Sequence, residues 1–154
     1  MARPNVLLPS LLFMATVSLF AFAEDCDYTI YVRTGTRDSA GTDANVAVVL
    51  SDKYGNKVQI PNLENWGGLM GRGHNYFENG NVDVFSSKAT CLAGPVCLLS
   101  VTSDGTGNKP GWYLDSVEVR VGADSARQHF NVDRWLATDE RPYDLTAIRN
   151  ICGV

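Results

Sequence analysis

The sequence predicts an all-β fold, an antiparallel β-sandwich or barrel, and three observations lead there. Seven or eight short segments alternate apolar and polar residues with a period of two, as half-buried strands require. Clusters of Gly, Asn, Asp and Ser separate them at the spacing of turns. No stretch carries the periodicity of a long amphipathic helix, so an alternation of strands and helices around a parallel sheet is not expected.

The first strand begins at Tyr28, with Tyr28, Ile30 and Val32 alternating with Thr29, Tyr31 and Arg33, and it ends at Thr34-Gly35. A polar loop, 36–43, follows. Asn45 to Ser51 gives a second strand, with Val46, Val48 and Leu50 on one face. Asp52-Lys53-Tyr54-Gly55-Asn56 places Gly and Asn where positive φ costs little, so Lys57 to Ile60 is expected to return as a hairpin partner. Pro61 to Gly80 reads as a long connection anchored by Leu63, Trp66, Leu69, Met70, Tyr76 and Phe77, with one helical turn near Leu63. Strands resume at Val82–Phe85, Cys97–Thr102, Trp112–Val121 and, finally, Gln128–Val132. Asp139 to Val154 reads as a polar tail tied down by Cys152. The expected core is Ile30, Val32, Val46, Val48, Leu50, Phe85, Leu98, Val101, Val117, Val119 and Phe130. Trp112 is expected to pack in or against it, and Asp83, facing away from Val82 and Val84, to hold a structural hydrogen bond.

Arg3 precedes an apolar run from Val6 to Phe22 that closes with Ala21-Phe22-Ala23, the pattern of a secretory signal peptide over residues 1–23. Val6 to Ala23 is 18 residues, short of the roughly 20 a membrane-spanning helix needs. Residues 24–154 are then one domain of ordinary size, expected in the secretory pathway, either in the endoplasmic reticulum lumen or secreted. Cys26, Cys91, Cys97 and Cys152, an even number behind such a leader, predict two disulfides, with all three pairings open. Zinc is disfavoured: no C-x-x-C pair exists, and His74 and His129 are distant in sequence from Cys91 and Cys97.

With 13 Lys and Arg against 17 Asp and Glu, the net charge is −4, which provides no basic surface for nucleic acid. Catalytic patterns are also missing. There is no G-x-S-x-G or H-E-x-x-H, and Gly71-Arg72-Gly73 lacks both the spacing and the lysine of a phosphate loop. Asp104-Gly105-Thr106-Gly107 is one acidic corner where aspartic-protease chemistry shares a proton between two. Neither histidine adjoins a nucleophile in sequence, so the chain is expected not to be an enzyme.

Four motifs, in order, carry a family resemblance. They are Thr34-Gly35 with Ala40-Gly41-Thr42-Asp43-Ala44-Asn45-Val46; the F-x-x-G-x-x-D-x-F element from Phe77 to Phe85; Ser103-Asp104-Gly105-Thr106-Gly107 with Gly111 to Val119; and Phe130 with Trp135-Leu136. Together they resemble the PLAT (lipoxygenase homology) domain over a core of 28–136, and the leader and tail look most like the small plant single-PLAT proteins associated with abiotic stress. The resemblance implies two packed four-stranded antiparallel sheets, with the loops after Gly35 and Asp104 at one end. It further implies a calcium site drawn from Gly41, Thr42, Asp43, Asp52 and Asp104. The contrasting reading of Asp43 and Asp104 is that they cap turns.

Two functional classes follow for a monomer of this kind. One is a calcium-assisted module that docks on a lipid surface or membrane-associated partner. The other is a protein-interaction module, or regulator of a lumenal lipid-modifying enzyme, that needs no metal. The loop 36–39, Thr-Arg-Asp-Ser, carries no large apolar side chain where membrane-binding family members commonly place an aromatic, and 106–110 is equally free of one. Trp66 and Tyr54 remain as candidate exposed aromatics.

Overall fold

A computed structural model describes residues 24–153. The expected signal peptide, 1–23, lies outside the described residues. Eight strands and one short helix follow in the order β1 (Asp25–Thr34), β2 (Val46–Ser51), β3 (Lys57–Ile60), α1 (Leu63–Gly67), β4 (Val82–Thr90), β5 (Leu98–Ser103), β6 (Trp112–Val121), β7 (Gln128–Leu136) and β8 (Thr146–Asn150). They form two four-stranded sheets, ordered β4-β1-β6-β7 and β3-β2-β5-β8, in which every paired strand is antiparallel. The predicted sandwich is what the chain forms.

Alternation puts the core where two inner faces meet. Tyr28, Ile30 and Val32 of β1, with Phe85 of β4 and Val117 and Val119 of β6, face Val46, Val48 and Leu50 of β2 and Leu99 and Val101 of β5, all buried. Leu98 corrects the expected core list. Leu98 and Val101 are three residues apart and cannot share a face of a strand; Leu99 is the inward residue and Leu98 is only half-buried. Trp112 is fully buried, and its indole Nε1 donates to Thr34 Oγ1 at 3.0 Å. Helix α1 starts at Asn62, whose side chain accepts the Asn65 amide, and it inserts Leu63 into the core.

The tail expectation is also corrected. β7 runs on to Leu136, and within the supposed tail Thr146–Asn150 forms β8, the edge strand beside β5. Ala147 is its one buried apolar residue. Arg149, on the same inward face as Ala147, donates from Nε to the Asn131 carbonyl of β7 at 2.8 Å and from Nη2 to that of Val132, so β8 ties the two sheets together.

The disulfides are Cys26–Cys91 and Cys97–Cys152. The first joins the start of β1 to the end of β4, and the second joins the start of β5 to the residues after β8. Antiparallel pairing therefore brings both bridges to one end of the sandwich.

Candidate functional site

The opposite end is built from the loops β1–β2 (35–45), β5–β6 (104–111) and β7–β8 (137–145), with the segment before β4 beneath them. Backbone bonds knit them: the Tyr113 amide donates to the Ala40 carbonyl, Asp43 to Lys109, Asp104 to Asn45, Ser103 to Leu145 and Gly80 to Gly35. Gly35 is required by a close approach, since a Cβ there would stand 2.5 Å from the Tyr113 ring. The third motif side chain, Asp83, lies fully buried on the inner face of β4 and accepts the Phe77 amide at 2.7 Å and His74 Nε2 at 2.7 Å. Phe77 at φ 59° and Gly80 at φ 73° turn the chain so that the Phe77 and Phe85 rings stack 5.6 Å apart. The F-x-x-G-x-x-D-x-F element is thus a packed latch under the loop end.

Of the five residues the resemblance assigns to calcium, the structure gathers four at the loop end. Gly41 is buried against the backbone of Phe77 to Asn79. Thr42 is buried too; its hydroxyl donates to the Lys109 carbonyl at 2.7 Å and accepts the Ala44 amide. Asp104 Oδ1 accepts the amides of Asn45 and Thr106 and the Thr106 hydroxyl, while Oδ2 accepts Asn45 Nδ2. Burial raises its pKa, but these four donors outweigh it and hold the carboxyl at about 2. Asp43 alone presents an exposed side chain with no hydrogen bond among the described residues.

Asp52 is at the other end. It follows the last residue of β2, whereas Asp43 precedes the first, a separation of about 20 Å along the strand. Its carboxylate is filled by the amides of Tyr54, Asn56 and Gly94 and by Asn56 Nδ2, and although burial pushes its pKa up, those bonds bring it below the ordinary value. No group of three His, Cys, Asp or Glu side chains able to hold a metal occurs among the described residues. Calcium takes six to eight oxygens. Of the five assigned residues, what remains for it at the loop end is the Asp43 carboxylate, with loop carbonyls and water.

Sequence reasoning missed Tyr143. It stands in the β7–β8 loop at φ 63°, 62% exposed, beside Pro142 and Glu140. Tyr54 is equally exposed but sits near Asp52 at the disulfide end, and Trp66 is packed against the core. Reading 139–154 as a tail concealed the loop that crosses from β7 in one sheet to β8 in the other; the sequence cue was Arg141-Pro142-Tyr143-Asp144 between two extended segments. Neither histidine hydrogen-bonds a hydroxyl or thiol among the described residues: His74 meets Asp83, and His129 Nδ1 meets Glu118 at 3.3 Å.

The model of the PLAT/LH2 domain family matches residues 28–150, from the first strand through β8. The chain belongs to the PLAT family. It is 52% identical to PLAT domain-containing protein 1 of Arabidopsis thaliana over 100% of this chain and 88% of that one. Among solved structures, the PLAT domain superposes on a coral 8R-lipoxygenase with a TM-score of 0.60 at 23% identity, covering 80% of this chain and 16% of the lipoxygenase. That enzyme is described as calcium-activated through a C2-like domain. A calcium-dependent 11R-lipoxygenase gives a TM-score of 0.55 at 23% identity, covering 81% of this chain and 17% of that one. At these identities the likeness to the lipoxygenases is one of fold.

Proposed function

We propose that this PLAT domain is a non-catalytic module of the secretory-pathway lumen that docks on a lipid surface through its loop end, assisted by calcium. The exposed Tyr143 on the β7–β8 loop is the observation that carries the reading. A tyrosine ring with an apolar body and a polar tip is stable at the water–lipid boundary. It supplies the interfacial aromatic that the first two loops lack. On the loops of the same end Asp38, Asp43, Asp139 and Glu140 are exposed. Their charge opposes approach to anionic lipid, and a divalent cation held by Asp43, loop carbonyls and lipid phosphate reverses that repulsion. A site so dependent on water and lipid is expected to be weak, in the range of about 0.1–1 mM typical of extracellular modules. The calcium-regulated lipoxygenases of like fold support this by analogy, and two disulfides suit an oxidising lumen. A role in abiotic stress is the setting its resemblance implies.

The test is co-sedimentation with vesicles of phosphatidylcholine and phosphatidylglycerol, in millimolar calcium and in chelator. Wild type is expected to sediment at least fivefold more in calcium, and Tyr143→Ser to lose most of that binding at unchanged melting temperature. Equal recovery in calcium and chelator contradicts the calcium step; no recovery in either contradicts lipid docking. A second reading, a protein-interaction surface, rests on the outer face of the β3-β2-β5-β8 sheet. There Ala47, Val49, Ser100, Thr102 and Ile148 form an uncharged patch, with Ile148 exposed.

A further inference from the structure

The two sheets end in four edge strands, β4 and β7 in one and β3 and β8 in the other. An edge presents a row of backbone N–H and C=O groups with no strand beside them, and folded chains generally cover or interrupt that row. Three of these edges are covered. Beside β4 the chain adds a bridge of its own: Gly68 pairs with Phe85, and the Leu69 amide donates to the Val84 carbonyl at 2.9 Å. On β7, Arg149 takes the Asn131 and Val132 carbonyls. On β8, Arg134 Nη2 donates to the Thr146 carbonyl at 3.0 Å and Arg149 Nη1 to that of Ile148 at 2.8 Å. β3 has no such cover among the described residues.

The turn before β3 sets which of its groups are free. The Asp52 amide donates to the Asn56 carbonyl, in phase with the pairs Leu50–Val58 and Val48–Ile60. Bonded pairs alternate along an antiparallel ladder, so Val58 and Ile60 direct their backbone groups to β2, while Lys57 and Gln59 direct theirs outward. The side chains of Lys57 and Gln59 are exposed on the outer face, and those of Val58 and Ile60 are buried. Against this edge lies an apolar concavity of about 300 Å³ lined by Ala47, Val48, Val49, Gln59, Ile60 and Pro61, with no carboxylate. That charge pattern suits a second copy, because a chain of net charge −4 repels itself wherever its carboxylates face one another.

We propose that β3 pairs antiparallel with β3 of a second copy about Val58, joining two β3-β2-β5-β8 sheets into one. In that register Lys57 of each copy stands opposite Gln59 of the other, and the two exchange both backbone bonds. No like charges are opposed. Pro61, which has no N–H to leave unpaired, falls opposite Gly55, which has no side chain. The Lys57 stem of each copy lies along the concavity of the other, with its ammonium in water. The contact is isologous and uses the uncovered edge of both copies, so association stops at two. Both loop ends stay free and point in opposite directions. A contact this small is transient and concentration-dependent; it replaces the monomer expected from the sequence and is independent of the lipid-docking reading.

The experiment is sedimentation equilibrium of the disulfide-bonded protein in chelator, from about 10 µM to about 1 mM, with hydrogen exchange measured at both concentrations. A reversible dimer is expected, with the Lys57 and Gln59 amides slowed at least threefold at the higher concentration and those of β7 and β8 unchanged. Gln59→Pro removes an outward N–H and no internal bond, so it should abolish the dimer at unchanged melting temperature. Gln59→Lys sets like charges opposite each other and should weaken the dimer at least fivefold. Lys57→Glu/Gln59→Lys should restore it, because residue 57 of one copy then meets an opposite charge at residue 59 of the other. A protein still monomeric at 1 mM overturns the proposal. So does a dimer that survives Gln59→Pro, or one that Gln59→Lys weakens and the double variant does not restore. Slowing of the same amides by an added extended peptide of unrelated sequence, in a protein that stays monomeric, overturns self-pairing and reassigns the edge to another chain.

Discussion

Asp104 and Asp83 show how two carboxylates of the family motifs do different work. Asp104 is exposed and closes a turn with four donors, and its pKa falls from an ordinary value of 3.8 to about 2. The unfolded chain therefore binds a proton before the folded one does. The stability from this turn is complete above about pH 4 and is lost as pH falls towards 2. Urea titrations between pH 5 and 2 should show a steeper acid loss for wild type than for Asp104→Asn, and parallel slopes would contradict the turn's contribution. Asp83 was legible by alternation, which sets it on the face opposite Val82 and Val84. Its partners were not, because Phe77 and His74 reach it through a loop whose positive φ at Phe77 no propensity predicts. Leu98 and Leu99 show the same limit: adjacent leucines give no phase, and register is settled by the pairing of β5 with β2, where Leu50 faces Leu99.

Among the elements, the hairpin partner β3 and the long strand β6 were legible to the residue, since a Gly-Asn turn bounds one and a run of alternating valines marks the other. β8 was not. Its inward residue is a small alanine and its outward one an exposed isoleucine, so its apolar pattern is inverted relative to its burial. Tertiary contacts place it: pairing with β5, the Arg149 bridge to β7, and the Cys97–Cys152 bond closing a separation of 55 residues. Replacing that bond with Cys97→Ser/Cys152→Ser should cost about 2–4 kcal/mol. The loss should be local first, with Ala147 and Arg149 amides exchanging well before those of β1. Uniform acceleration across both sheets would instead mean that β8 belongs to the same cooperative unit as the core.

Seen as a whole, the molecule has two unlike ends. At one, both disulfides, the filled Asp52 carboxylate and the bonds of the Tyr28 hydroxyl to Thr90 and Leu92 fix the strand termini. At the other, three loops tied by backbone bonds carry Asp43 and Tyr143. Composition and motif order made the fold legible, because strand alternation and turns are local. They did not reveal which carboxylates are engaged or which aromatic is exposed, because both depend on contacts between loops far apart in sequence. The central claim is that this loop end is the docking surface. Its most direct measurement is hydrogen exchange on phosphatidylcholine–phosphatidylglycerol vesicles in millimolar calcium. Protection confined to 36–45, 104–111 and 137–145, absent in chelator, is the predicted result. Protection centred on Ala47, Val49 and Ile148, or none at the loops of a vesicle-bound protein, would contradict it.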